Sequence, residues 1–372
     1  MRQRGQHGLV LLRKLINVDV RAKTLEAGYT RVLRPVLFRM DGGDAEAAHH
    51  KTLQRLSTLA ERPRALDLIR RACSTPTRTV QVAGISFPGK VGLAAGVDKD
   101  GVALKGWPAL GFSHVEVGTV TPQAQPGNGR PRLFRVVESG GILNRMGFNN
   151  EGVEALAVRL RKAGPLPIPI GVSIGKNKAT PMADSVQDYL HCLRTLDGLA
   201  DYVAVNISSP NTTGLRGLQD REPLGELLAT LVHEATQLAN ARSGKSVPLF
   251  VKIAPDLKNE AIDDILEVAG HADVAGIIAT NSTQSRDGLR GADLALVDED
   301  GGLSGSPLTR RTRKIVRYVT KHTSLPVIGV GGIMSATDGK ALIDAGACLV
   351  QVYTGFVYTG PSLVKDLNTA LG

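Results

Sequence analysis

Six residues, Asn206-Ile207-Ser208-Ser209-Pro210-Asn211, place serines between two amides directly after the apolar run Tyr202–Val205. Each amide can donate and accept toward a flat polar ligand. Pro210 lacks a backbone donor and fixes φ, so the chain leaves the strand abruptly. Asn, Ser and Pro also favour turns for local backbone reasons, and an ordinary strand-to-loop turn is the competing reading. Two lysines add to the chemistry. Lys252 is the only charge in Val251-Lys252-Ile253-Ala254-Pro255, and inside an apolar strand it needs a ligand anion or a carboxylate as partner. Lys99 ends Leu93-Ala94-Ala95-Gly96-Val97-Asp98-Lys99. The small residues there let a flat ring approach the backbone, and the ammonium can hold an anionic substrate or a developing negative charge. Asn144-Arg145-Met146-Gly147-Phe148 follows a stretch rich in Pro and Gly, residues 121–131. It is too irregular for a helix, and its backbone donors and amide could close a polar pocket.

These groups need a scaffold that brings them together. Short β-branched runs bounded by Gly, Pro and helical stretches occur at Val91–Gly96, His114–Thr119, Ile168–Ile174, Tyr202–Ile207, Pro248–Ile253, Ala275–Thr280, Pro326–Gly332 and Cys348–Tyr353. Helical periodicity lies between them, as in Val153–Ala163, Pro223–Ala241, Asn259–Ala269 and Leu308–Lys321. Eight strands alternating with helices predict an α/β fold, a (β/α)8 TIM barrel, whose active site is built at the C-terminal strand ends. Those ends carry Lys99, Thr119, Ser173, Asn206, Lys252, Thr280 with Asn281, Gly331 with Gly332, and Tyr353 with Thr354. Loops after strands seven and eight commonly take phosphate in this fold, and Ile328-Gly329-Val330-Gly331-Gly332-Ile333 can present bare backbone N–H groups. No Gly-x-Gly-x-x-Gly opens a βαβ unit near the start of the barrel, which argues against a Rossmann nicotinamide domain.

The 372 residues exceed a bare barrel and leave room for a smaller N-terminal unit. Cys73, Cys192 and Cys348 have neither CxxC nor His-paired spacing, so they read as reduced packing residues with no disulfide frame and no metal site. No window reaches the uninterrupted apolar length of a membrane span; Gly8–Val20 comes nearest but contains Arg13 and Lys14. Residues 1–75 hold 15 Lys and Arg against 7 Asp and Glu, a net +8, whereas the rest of the chain carries only +2. Tyr29, Val32, Leu33, Val36, Leu37 and Met40 form one helical stripe, with Arg31, Arg34 and Arg39 off it. This suits an interfacial helix on an anionic membrane surface better than a nucleic-acid arm. Pro35 must kink that helix or open a new turn. A second helix starts at Asp44 as N-cap, with His49, Leu53, Leu56 and Ala60 on one side. The competing reading is that both helices simply pack on the barrel. Residues 1–28 read as a poorly ordered basic extension, 29–75 as an amphipathic helical membrane unit and 76–372 as the barrel. A short hairpin within Ser74–Phe87 would close the barrel's bottom.

Seven motifs in order carry a family resemblance: Leu93–Lys99, Glu116–Pro122, Asn144–Phe148, Asn206–Asn211, Ala279–Ser282, Gly301–Pro307 and Gly329–Ile333. From about Tyr29 onward the chain resembles the class 2, membrane-associated and quinone-dependent dihydroorotate dehydrogenases. In the class 1 enzymes the active-site base is a cysteine on the corresponding loop; here that place is Ser209. The resemblance implies oxidation of (S)-dihydroorotate to orotate in de novo pyrimidine (UMP) synthesis. FMN would lie across the barrel mouth, its phosphate on Gly305, Gly331, Gly332, Tyr353 and Thr354. Its ring would lie near Ala95, Gly96, Thr119, Ser173, Asn206, Lys252 and Thr280, with Lys252 stabilising the reduced, anionic form. Lys99, the Asn144–Phe148 segment (Asn144, Arg145, Met146, Gly147, Phe148), Asn206, Asn211, Asn281 and Ser282 would hold the substrate. Ser209 would remove the C5 proton while hydride leaves C6, and a membrane quinone entering between the N-terminal helices would take the electrons. The implied location is peripheral, on the cytoplasmic side of a bacterial cell membrane or on the inner mitochondrial membrane of a eukaryote. No nucleic acid and no obligate protein partner is expected.

The chain departs from the family pattern in three places. Ser173 stands where the family usually has Asn on the third strand, so one hydrogen bond is shorter in reach or made through water. Phe87-Pro88-Gly89-Lys90-Val91 replaces a basic residue, Asn and Pro, which displaces or removes a side chain that would face the quinone. Residues 1 to about 28 have no counterpart. A soluble flavin barrel with another acceptor would share the phosphate loop and the strand-end lysines without needing Ser209 or the amphipathic start. A non-catalytic binding barrel on a membrane is the non-enzyme rival.

Overall fold

The computed structural model describes residues 24–212 and 214–372. Eight parallel strands close a barrel in chain order. They are β1 (Val91–Leu93), β2 (His114–Val120), β3 (Ile170–Ile174), β4 (Tyr202–Asn206), β5 (Leu249–Ile253), β6 (Gly276–Ala279), β7 (Val327–Val330) and β8 (Leu349–Val352). Closure is made where Val350 of β8 pairs with Val91 of β1. Every residue of β2 to β8 is buried. Such strands, covered on both faces, read as continuous apolar runs, which is why the sequence places them to within about two residues. The helices Val153–Ala163, Arg221–Ala241, Asn259–His271 and Thr309–His322 cover the outside. The antiparallel hairpin Val80–Val82/Ile85–Phe87 packs its Val82 and Phe87 against Tyr202, Phe250 and Ile278 inside the barrel.

A three-stranded antiparallel sheet, Leu133–Val136, Gly141–Asn144 and Gly302–Gly305, stands apart from the barrel. Its register sets Asn144 opposite Gly302. Periodicity could not foresee this sheet, because its middle and last strands are about 160 residues apart in sequence.

Residues 24–28 are helical, so ordered backbone begins ahead of Tyr29 within what the sequence suggested was an extension; residues 1–23 lie outside the described residues. Pro35 sits in the first turn of a new helical segment, Arg34–Arg39. Asp41 and Gly42 turn the chain with positive φ, and the Asp44 carboxylate caps Ala45–Ala60 by accepting from the amides of Glu46 and Ala47. A third helix, Pro63–Cys73, follows. It was signalled by Pro63 at a helix start and Leu66, Ile69 and Cys73 at helical spacing, and was missed.

The stripe divides between two surfaces. Tyr29 donates to the Val357 carbonyl at 2.8 Å and so packs on the barrel, whereas Val32 and Val36 stay 65% and 56% exposed. Among the described residues no helix is long and apolar enough to cross a membrane. The helices are fastened by charge as well. Glu46, buried in Ala45–Ala60, accepts from Arg132 Nη2 at 2.7 Å and Nε at 3.0 Å, and from Arg130 at 3.0 Å. Burial alone would raise the Glu46 carboxyl, but its bonds to Arg132 and Arg130 outweigh it and hold the group at about 2.

Candidate active site

The C-terminal strand ends and the small antiparallel sheet enclose one cavity. One end is built from backbone. Gly305, Gly331 and Gly332 all have positive φ. A Cβ on Gly332 would lie 2.3 Å from the Thr309 backbone and one on Gly305 would lie 2.4 Å from the Gly140 carbonyl, so only glycine permits this close approach. Thr309 Oγ1 donates to the Gly332 carbonyl at 2.7 Å, and Ser304 and Thr354 share a hydroxyl hydrogen bond at 2.8 Å. These hold a cradle of close-packed glycine backbone and hydroxyls, groups able to donate to a phosphate monoester. Tyr353 lies against Gly96, where a Cβ would meet its ring at 3.1 Å. Burial pushes its phenol up to about 12, so it stays protonated.

The other end is built from side chains. Asn206 Nδ2 donates to Thr119 Oγ1 at 2.7 Å and Asn206 Oδ1 accepts from Ser208 Oγ at 3.2 Å. Asn281 Nδ2 donates to Ser208 Oγ at 3.0 Å and Asn281 Oδ1 receives the Ser282 amide at 2.8 Å. Asn211 Nδ2 donates to Asn144 Oδ1 at 3.2 Å. Four amides and hydroxyls from different loops are thus locked in orientation before any ligand arrives. Ser209 lines the cavity beside them, and its Oγ accepts the Asn211 amide at 3.2 Å.

Lys99 also reaches the cavity. The Asp98 carboxylate ties down the turn around it by accepting from the amides of Val102 and Ala103 and from the Trp107 indole. Burial brings the Lys99 ammonium down to about 8, with Asp100 and Glu46 opposing. Lys252 pairs with Glu116 of β2, Nζ to Oε1 3.1 Å, which meets the sequence requirement for a carboxylate partner, while Lys252 itself still lines the cavity.

Ala95, Gly96, Thr119, Thr280, Met146, Gly147 and Phe148 line the cavity with the groups already named. Two predicted residues do not. Arg145 turns away: it pairs with Glu299, donates to the Pro131 carbonyl at 2.9 Å and lies over the Phe134 ring. The segment leaves its strand at Asn144, and alternation there sends successive side chains to opposite faces. Ser173 is fully buried behind Thr119, with the hydroxyls 2.8 Å apart. Its short side chain ends on Thr119, which does line the cavity.

Several site residues were not singled out from the sequence. Ser208 and Glu116 are two. Asn128 is a third, since its Nδ2 donates to the Arg145 carbonyl at 2.9 Å and the Asn211 carbonyl at 3.3 Å, clasping the two substrate-side loops. Among the described residues no cluster of His, Cys, Asp or Glu could hold a metal ion.

A family model described as "Dihydroorotate dehydrogenase" matches residues 77–372. The chain belongs to the dihydroorotate dehydrogenase family. Its relatives include the dihydroorotate dehydrogenase (quinone) of Salinispora arenicola, 54% identical over 346 residues, covering 92% of this chain and 98% of the relative. The protein of the same name from Chloroflexus aurantiacus is 50% identical over 347 residues, covering 92% and 96%. Among solved structures, the Eimeria tenella enzyme in complex with ferulenol superposes with a TM-score of 0.81 at 35% identity, covering 91% of this chain and 93% of that one. The family is one of flavin-dependent oxidoreductases, and the cavity fits a flavin. It pairs a glycine cradle with small residues at Ala94, Ala95 and Gly96 and a cation at Lys252. Gln351 lines it too, and among the described residues its buried Oε1 has no hydrogen-bond partner.

Proposed function

We propose that the chain oxidises (S)-dihydroorotate to orotate with FMN as the bound hydride acceptor and a membrane quinone as the final electron acceptor, in pyrimidine synthesis. The observation that carries this is Ser209, held by the Asn211 amide in the same cavity as Lys99, the oriented amides and the glycine cradle. Gly305, Gly331, Gly332, Tyr353 and Thr354 hold the phosphate, and Ala95, Gly96, Thr119, Thr280 and Lys252 flank the ring. Lys99 binds the substrate carboxylate, and Asn144, Asn206, Asn211, Asn281 and Ser282 fix the pyrimidine ring by donors and acceptors set in advance, so little reorganisation accompanies binding. Bound FMN supplies a two-electron acceptor for the hydride that leaves C6. Ser209 takes the C5 proton. A serine hydroxyl is a weak base, so it needs a desolvated site and a water or a threonine hydroxyl to pass the proton on.

The N-terminal unit, residues 29–75, serves the quinone step. Its basic charge and the exposed Val32, Leu33 and Val36 rest on an anionic leaflet, so the protein sits peripherally on the membrane. This is the cytoplasmic face of the cell membrane in a bacterium and the inner membrane in a mitochondrion.

The test uses the purified full-length protein. The expected result is a yellow protein whose visible absorption bleaches when dihydroorotate is added anaerobically and returns with a quinone. A yellow protein that dihydroorotate leaves unbleached would overturn the proposal.

A further inference from the structure

Directly beneath the cavity, four strands contribute a polar layer to the barrel interior: Glu116 from β2, Tyr202 from β4, Lys252 from β5 and Gln351 from β8. Glu116 is fully buried and accepts from Lys252 Nζ at 3.1 Å, Gln351 Nε2 at 2.9 Å and Tyr202 OH at 3.3 Å. Gln351 Nε2 also reaches the Tyr202 oxygen at 3.1 Å. Lys252 and Gln351 line the cavity and Glu116 and Tyr202 do not, so the carboxylate acts on whatever fills the cavity only through its neighbours. Among the described residues Lys252 makes no ion pair but this one. For stability alone, a well-packed apolar pair would serve a barrel core as well as a buried ion pair does. The charges therefore call for a role beyond holding the barrel together.

We propose that Glu116 is a positioning residue that sets the reduction potential of the flavin, by fixing Lys252 beside the cavity and offsetting its charge. The proposal rests on the reading of the cavity as an FMN site. A bare ammonium next to the ring would stabilise the anionic reduced form strongly and hold the electrons there. With a carboxylate directly behind it, the pair acts as a dipole, whose field at the ring is weaker than that of the lone cation. A site that must take two electrons from one substrate and give them up to another needs this moderation. Tyr202 and Gln351 share the carboxylate's charge by hydrogen bonding, and burial together with Glu116 keeps the Tyr202 phenol protonated as a donor.

The test is an equilibrium redox titration of the full-length, flavin-loaded protein with mediator dyes, all variants at one pH near neutrality. In Glu116→Gln the amide still accepts from Lys252 but carries no charge. The ratio of reduced to oxidised flavin at a given potential then rises at least tenfold, a positive shift of about 30 mV for a two-electron couple. Glu116→Asp keeps the charge and stays within a third of that shift from wild type. Tyr202→Phe leaves more charge on the carboxylate and moves the potential the other way. A loaded Glu116→Gln protein with wild-type melting behaviour and an unmoved potential would overturn the proposal, as would an equal shift in Glu116→Asp. Where Glu116→Gln does not accumulate, Tyr202→Phe decides: a negative shift supports the proposal and no shift overturns it. Failure of dihydroorotate to bleach the wild type would strike the proposed function alone, because the dye titration still reads the potential.

Discussion

The barrel mouth and the N-terminal helices handle polar and apolar groups in opposite ways. In the mouth, charges and amides are buried or half-buried and tied to one another: Lys252 to Glu116, Asn206 to Thr119, Asn211 to Asn144. On the helices Val32, Leu33 and Val36 stay outside, while Glu46 and Arg132 are paired underneath. The first arrangement holds polar groups in fixed orientations, as the proposed chemistry requires; the second leaves apolar surface uncovered by the chain, as the proposed membrane contact requires. It also shows why the helices are a poor part to delete. Removing Glu46 would leave Arg132 buried with no counter-ion, and an unpaired buried charge costs several kcal/mol.

Substitutions that strike one region and spare the other sharpen this contrast. The largest effect is expected at Gly332, where a Cβ meets backbone at 2.3 Å and φ is +69°. Gly332→Ala should lower flavin affinity by on the order of 10², from roughly 1–3 kcal/mol of backbone strain, read as flavin lost on gel filtration, with vesicle binding unchanged. Lys99→Ala should leave the protein yellow but raise KM for dihydroorotate by roughly 10–100-fold, the loss of a charge-assisted hydrogen bond of about 1.5–3 kcal/mol. Steady-state kinetics with a soluble dye measure this. The double change Val32→Glu, Val36→Glu should do the reverse. Anaerobic bleaching persists at wild-type speed, while sedimentation with anionic vesicles falls by about tenfold.

The smallest effect separates fold from function. His114 is fully buried against Phe87 with neither ring nitrogen bonded, and burial holds it at about 3. Below its unfolded value near 6.5 the unfolded chain binds a proton that the folded chain refuses, so stability falls as pH drops. The slope is at most about 1.4 kcal/mol per pH unit between about 6.5 and 3. His49, also held at about 3 by burial, adds a contribution of the same sign. Urea midpoints at pH 7.5 and 5.5 should therefore differ by less in His114→Met than in wild type. An equal difference in the two proteins would remove His114 from the account.

What the sequence makes legible follows from where the information lies. The barrel strands are short apolar runs between helices, and that local pattern survives without any partner. The small antiparallel sheet depends on Gly302–Gly305 finding Gly141–Asn144, which no local pattern encodes. Asn144 and Arg145 are polar neighbours, yet one faces the cavity and the other Glu299; the strand's alternation separates them. Glu116 was within reach of sequence reasoning. It stands in an apolar strand as Lys252 does, and two lone opposite charges in one barrel interior are natural partners. Asn128 lies in a loop, where Asn also serves turns, and composition does not distinguish a clasp from a turn.

The account centres on Ser209 as the group that takes the proton, in a cavity otherwise complete without it. Its most direct test is stopped-flow anaerobic reduction of the bound flavin by dihydroorotate in Ser209→Ala and wild type. The account predicts that Ser209→Ala keeps its flavin and binds orotate, while the reduction rate falls on the order of 10² or more. Reduction of Ser209→Ala at wild-type speed would contradict it.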